Sequence, residues 1–242
     1  MKKLAVINSF AVLLILSVAL ILFSSPAQAY TYDDFTGTEI NASLWHDNGP
    51  NTGLFSQPGD GNLYFSDPTG GMDDNLRSFA SVSGPFFVSM QYSNFQATNS
   101  ATGSFAGSSV ILWVGETNNV WAALEFTKAN GTIQGFVANS HINGTFSHLN
   151  TYIPSSATSG SLGIGFNGII GPGGEITLWF NAGSGWTKLA SGAPNFTANP
   201  FFAIEGYDLN GTSLSFQVAD VQIVPRPWPL VSTAPLNMLL LE

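Results

Sequence analysis

Cysteine is absent from the 242 residues, and Asp, Glu, Lys and Arg together make up only 9% of them. Without a thiol the chain has no disulfide staple, no thiolate metal site and no cysteine nucleophile. The charged fraction lies far below the ~25% of a typical soluble domain, which argues against charge-laced helix bundles and coiled coils. Basic side chains are the scarcest: 6 Lys and Arg stand against 15 Asp and Glu, a net charge of −9. An electrostatic grip on nucleic-acid phosphates or anionic lipid therefore has no basis. Also missing are a Gly-x-Ser-x-Gly elbow, a P-loop and a dinucleotide fingerprint. What is plentiful is 26 Gly, 13 Pro, 19 Phe, 6 Tyr and 6 Trp.

The N-terminus reads as a targeting segment. Lys2 and Lys3 precede an apolar run from Phe10 to Phe23, and Ala27-Gln28-Ala29 places small residues at −3 and −1 of a cleavage point. Residues 1–29 are expected to be a secretory signal, with Tyr30 the first mature residue. The run is shorter than the ~20 residues of a membrane-spanning helix, so no stable membrane span is expected after cleavage. Losing Lys2 and Lys3 leaves 4 basic side chains against 15 acidic ones, a mature net charge of −11. The expected location is secreted, outside a bacterial cell or in its envelope. At the other end, Val224-Pro225-Arg226-Pro227-Trp228-Pro229 breaks any strand, and the apolar stretch to Glu242 is too interrupted to cross a bilayer. One domain over 30–224 and a tail over 225–242 are expected.

Within that domain, short runs of apolar, aromatic and β-branched residues recur between Gly, Asn, Ser, Pro and Asp clusters. Strands are predicted at Gly61–Ser66, Phe86–Phe95, Ser108–Gly115, Val120–Thr127, Thr132–Ala138, Ser161–Gly168, Ile176–Asn181, Trp186–Ala190, Phe201–Tyr207 and Leu214–Val224. Many short strands with turn signals between them specify an all-β sandwich or barrel. No mature segment keeps a 3.6-residue apolar period, which leaves no helices for βαβ units.

Alternation separates the faces of individual strands. In 120–126 it groups Val120, Ala122, Leu124 and Phe126 against Trp121, Ala123 and Glu125. In 201–207 it groups Phe202 and Ile204 against Phe201, Ala203, Glu205 and Tyr207; in 175–181 it groups Ile176, Leu178 and Phe180 against Glu175, Thr177, Trp179 and Asn181. Each of these strands buries an apolar face and displays a mixed aromatic and polar one.

Several ordered pieces resemble the concanavalin A-like lectin/glucanase domains, laminin-G-like modules included. They are Asp33-Asp34-Phe35-Thr36-Gly37 with Ile40 and Leu44-Trp45, then Asn62-Leu63-Tyr64-Phe65 and Phe86-Phe87-Val88-Ser89-Met90. Ile176-Thr177-Leu178-Trp179-Phe180 with Gly185-Trp186-Thr187-Lys188-Leu189, and Phe216–Val224, complete the succession. The resemblance implies an antiparallel two-sheet jelly-roll sandwich that meets polysaccharide or a cell-surface glycan, with Trp45 and Trp186 in its core. It also implies a structural calcium tying the first strand to the last, at Asp33, Asp34 and Asp220. A fainter likeness links Val224-Pro225-Arg226-Pro227 to the Val-Pro-Glu-Pro sorting tails of exported proteins.

The family's hydrolases carry Glu-x-Asp-x-Glu on one strand, and no Glu-x-Asp occurs in this chain. Two readings follow for the mixed faces. Trp113, Trp121, Trp179, Phe201 and Tyr207 with Glu125 and Glu205 form a non-catalytic glycan-binding or adhesion surface, aromatic rings meeting pyranose faces and carboxylates their hydroxyls. Alternatively Glu125 and Glu205 are nucleophile and acid/base of a retaining glycosidase, which requires carboxyl groups ~5–5.5 Å apart; Glu116 is a third candidate. A structural role in an extracellular matrix is the remaining alternative. His46, His141 and His148 match no zinc spacing, and Asp60-Gly61-Asn62 and Asp73-Asp74-Asn75 are turns or oxygen-rich calcium candidates.

Overall fold

A computed structural model describes residues 29–98, 107–117, 120–129, 133–142, 145–150, 152–208 and 213–225. The expected signal and tail lie outside these, apart from Ala29 and Pro225. The described residues contain strands and turns and no helix, so none is long and apolar enough to cross a membrane.

The strands form two antiparallel sheets packed face to face. The first holds β1 (Tyr30–Asp33), β3 (Phe55–Ser56), β4 (Leu63–Asp67), β6 (Phe86–Thr98), β12 (Gly160–Phe166), β13 (Ile176–Asn181), β14 (Thr187–Gly192) and β16 (Ser213–Pro225). The second holds β2 (Trp45–Asp47), β5 (Asp73–Ser78), β7 (Gly107–Thr117), β8 (Val120–Ala129), β9 (Ile133–Ile142), β10 (Thr145–His148), β11 (Ile153–Pro154) and β15 (Phe201–Asp208). Spatial order is β14-β13-β12-β6-β16-β4-β3 in the first sheet, with β1 beside β16, and β10-β9-β8-β7-β15-β5-β2 in the second, with β11 beside β9. This is the antiparallel jelly-roll sandwich that the family resemblance implied, and one of the two architectures, sandwich or barrel, that the spacing of the apolar runs allowed.

Alternation places the core where it was expected. Phe202, Ile204, Ile176 and Leu178 are buried between the sheets, and Phe180 packs against the same cluster. Aromatic rings stitch the layers together. Phe126 of β8 lies 5.0 Å from Tyr92, Phe95 and Phe136, and Phe136 stacks on Phe180 at 4.2 Å. Near the N-terminus Trp45 meets Phe202 edge to face at 5.8 Å, and its Nε1 donates to Asp33 Oδ2 at 2.7 Å. Trp45 is thus core, as expected. Beside it the Tyr32 hydroxyl donates to the Leu44 carbonyl at 2.7 Å, and burial pushes its pKa up to about 12.

One glycine sets how closely the sheets approach. A Cβ on Gly206 would stand 2.3 Å from the Phe65 ring, so the ring of β4 rests on bare backbone of β15. Phe65 is held there by stacking on Phe216 at 4.9 Å and by Phe55 at 5.1 Å.

Three features depart from the sequence reading. Trp186 is not in the core between the sheets: it lies half-buried outside the first sheet, edge-on to Phe87 at 5.4 Å and over Gly163. Asp73-Asp74-Asn75 is not a turn but the start of β5, whose inward residues Asp74, Leu76 and Ser78 are buried. The short strands β2, β3, β10 and β11 carry too few alternating residues to announce themselves.

Gly206→Ala should destabilise the fold by about 1–3 kcal/mol, the cost of overpacking a filled core. Denaturant unfolding should show the loss, and combining it with Phe65→Leu should recover part of it.

Candidate functional site

β15 lies between β5 and β7, and its alternation turns Phe201, Ala203, Glu205 and Tyr207 away from the core. β7 buries Val110, Leu112 and Val114 inward and turns Ser109, Ile111 and Trp113 outward. The registers set these side chains in rows across the second sheet: Asp73–Tyr207–Ser109, then Asn75–Glu205–Ile111, then Arg77–Ala203–Trp113, with Phe201 opposite Gly115. Ile111, Trp113 and Ala203 form a small buried cluster of their own, with Phe201 and Tyr207 packed on it.

The arrangement is specific in geometry. The Trp113 and Phe201 rings meet edge to face at 5.4 Å, and the Arg77 guanidinium carbon lies 4.5 Å from the Phe201 ring centroid. Trp113 is only 7% exposed, and among the described residues neither its Nε1 nor the buried Oδ1 of Asn75 has a hydrogen-bond partner. Leaving such an atom unpaired costs about 1–3 kcal/mol, and both atoms are closed off from solvent, so a ligand would reach them only after the side chains around them shift.

Four of the residues predicted to bind ligand therefore come together: Trp113, Phe201, Glu205 and Tyr207. Trp121 and Glu125 lie on β8 in rows of the same face, Trp121 opposite Gly115 and His141, Glu125 opposite Ile111 and Val137; their side chains are outside the described residues. Glu125 and Glu205 thus both flank Ile111, two strands apart, with Cα atoms separated by roughly twice the ~4.8 Å strand spacing. Trp179 does not join them. It belongs to β13 in the first sheet, opposite Gly163 and Lys188, because alternation gives a side chain's face and not its sheet.

Glu116, the third carboxylate candidate, is committed to structure: it accepts from Thr197 N and Ala198 N at 2.7 Å each, and from Thr197 Oγ1. Asp60 likewise holds its own turn, accepting from Asn62 N at 3.1 Å and from the Tyr64 hydroxyl. For calcium, Asp33 pairs with Val221, next to Asp220. Both Asp33 oxygens accept from protein donors, Phe35 N and Trp45 Nε1, and Asp34 Oδ1 accepts from Thr36. Asp33 and Asp34 line a hollow with Glu39 and Gln57 that does not include Asp220, and no group of three His, Asp or Glu among the described residues is gathered to hold a metal.

Sequence reasoning missed Asn75 and Arg77, which the misread strand β5 supplies, and His141 and His148. The β9–β10 pairing sets Phe146 opposite His141 and His148 opposite Asn139, bringing both histidines to the margin of this face. His148 Nδ1 and Asn139 Oδ1 are 2.7 Å apart. The signal available for β5 was the period-2 set Asp74, Leu76, Ser78, in which Leu76 is the single apolar residue.

Asp74 is also the most perturbed carboxyl. It is fully buried, its Oδ2 accepts from Leu54 N at 3.3 Å, and its Oδ1 has no partner. Burial first, then the neighbouring Asp47 carboxylate, raises its pKa to about 7. A proton on this carboxyl makes a donor that Asp47 can accept.

No protein-family model and no curated protein sequence matches this chain. Its backbone is similar to that of solved structures. LamAcat of Zobellia galactanivorans superposes with a TM-score of 0.56 at 12% identity, over 84% of this chain and 98% of that one. The GH43 protein BlXynB of Bacillus licheniformis gives 0.61 at 12% identity over 80% of this chain, which spans only 39% of that protein. A legume lectin-like domain of Entamoeba histolytica gives 0.51 at 8% identity, over 77% and 91%. At such identities the likeness defines a fold class, the concanavalin A-like antiparallel sandwich.

Asp74 generates a pH prediction. Its raised pKa means that the folded chain holds a proton the unfolded chain releases near pH 4, so the stability Asp74 contributes falls as pH rises from about 4 to about 7. Asp74→Asn, which keeps an acceptor for Leu54 N and adds a donor toward Asp47, should gain in Tm relative to the parent across that window and stay level above it. Melting curves at several pH values check this.

Proposed function

We propose that this protein is a secreted, non-catalytic carbohydrate-binding or adhesion module that takes glycan on the outward face of its second sheet. The observation that carries this is the meeting of Trp113, Phe201, Glu205 and Tyr207 on the outward face of β7 and β15. Apolar ring faces suit the C–H faces of pyranoses, and a carboxylate such as that of Glu205 suits their hydroxyls. The neighbours' names add support from carbohydrate chemistry, LamA having been solved with laminaritriose and laminaritetraose. Export through the N-terminal signal brings such a face to extracellular polysaccharide.

Two observations weigh against hydrolysis. The Glu-x-Asp-x-Glu strand motif is missing, and Glu125 and Glu205 are separated by Ile111 instead of sitting on neighbouring strands. A retaining pair needs carboxyl groups ~5–5.5 Å apart, so both side chains would have to lean across a buried isoleucine.

The test is to pass the mature protein through gels containing soluble β-glucan or xylan while following reducing ends. Retention without new reducing ends is expected; Phe201→Ala should weaken it about tenfold, and Trp179→Ala, on the other sheet, should leave it unchanged. Reducing ends that disappear in Glu205→Gln would establish the glycosidase alternative. Absence of both signals would leave the matrix role.

A further inference from the structure

Building on this glycan face, we propose that Arg77 reads an isolated carboxylate, such as a uronic acid branch, on an otherwise neutral glycan. Among the described residues the Arg77 guanidinium makes no ion pair and donates no hydrogen bond; its contact is the Phe201 ring at 4.5 Å. Its partners across the sheet are Ala203 and His46, and the carboxylates of the same face, Glu205 and Asp73, stand one and two rows away. A planar fork of five donors, held flat on an aromatic ring and left without an acceptor, matches a carboxylate in two-point geometry.

The charge of the whole chain decides how many such groups the ligand carries. At −11 the mature protein repels a polyanion at long range. A single arginine beside the aromatic pair of Trp113 and Phe201 suits one carboxylate among neutral sugars. Arg77 and Trp113 lie two strands apart on one row, at roughly 9–10 Å between Cα atoms. That is farther than one pyranose ring reaches, so the acid belongs to a neighbouring residue or branch of the sugar packed at Trp113.

The probes are glucuronoxylan and the same polymer after chemical reduction of its carboxyl groups, compared by retention at about 0.15 M salt. The parent protein should be retained by both and about tenfold more tightly by the acidic form. Arg77→Gln should erase that preference while keeping retention on the reduced polymer, and Arg77→Lys should keep part of it. A melting curve of Arg77→Gln identifies loss of fold, in which case Arg77→Lys carries the comparison, because its charge is conserved and its fork is not. Equal retention of the two polymers by the parent, or a preference that survives Arg77→Gln, overturns the role of Arg77 and leaves the glycan face standing. Retention of neither polymer removes the glycan reading together with this one.

Discussion

The Phe65 ring rests on the bare backbone of Gly206, and that contact between the sheets decides which way the central strand of the second sheet faces. A side chain at 206 would push the layers apart; glycine lets a whole ring occupy the place. Because side chains alternate, fixing Gly206 and its neighbours Ile204 and Phe202 inward fixes Glu205, Tyr207, Ala203 and Phe201 outward. A slip of one residue would bury Glu205 among phenylalanines, at a desolvation cost no single ring contact could offset. The position of every proposed ligand contact on β15 follows from this packing.

The outward face obeys a different balance. Between the sheets polar atoms are few and apolar rings meet at 4–6 Å, whereas on the outer side of β7 and β15 aromatic rings share space with Asn75, Arg77 and Glu205. Trp113 shows the tension: it is almost fully buried, yet among the described residues its indole N–H has no acceptor. A core built only for stability would have filled this place with a leucine or paired the nitrogen. The low charge of the sequence has its counterpart here in a surface whose chemistry is rings, amides and a few separated charges, suited to hydroxyl-rich ligands.

How much of this was legible in the sequence depended on the strand. β15 and β13 announce themselves through clean alternation of large apolar and polar residues, so their inward faces were read correctly. β5 did not, because Asp73-Asp74-Asn75 has the composition of a turn and its inward polar group is tolerated only through a raised pKa. Arg77 and Asn75 were missed with it. Trp179 falls on the other sheet for another reason: alternation tells which side of a strand a residue occupies, but not which sheet receives the strand. That β15 pairs with β5 and β7, more than 80 positions away, is a property of the assembled sandwich.

The most direct test follows the six tryptophan indole N–H resonances while an oligosaccharide of a retained polymer is titrated into the mature protein. Engagement of the outward face of the second sheet predicts a large shift of the Trp113 indole, as sugar packs against the cluster that holds it, with Trp179 and Trp186 unmoved. Shifts at Trp179 and Trp186 with Trp113 unchanged would place the ligand on the first sheet and contradict the account.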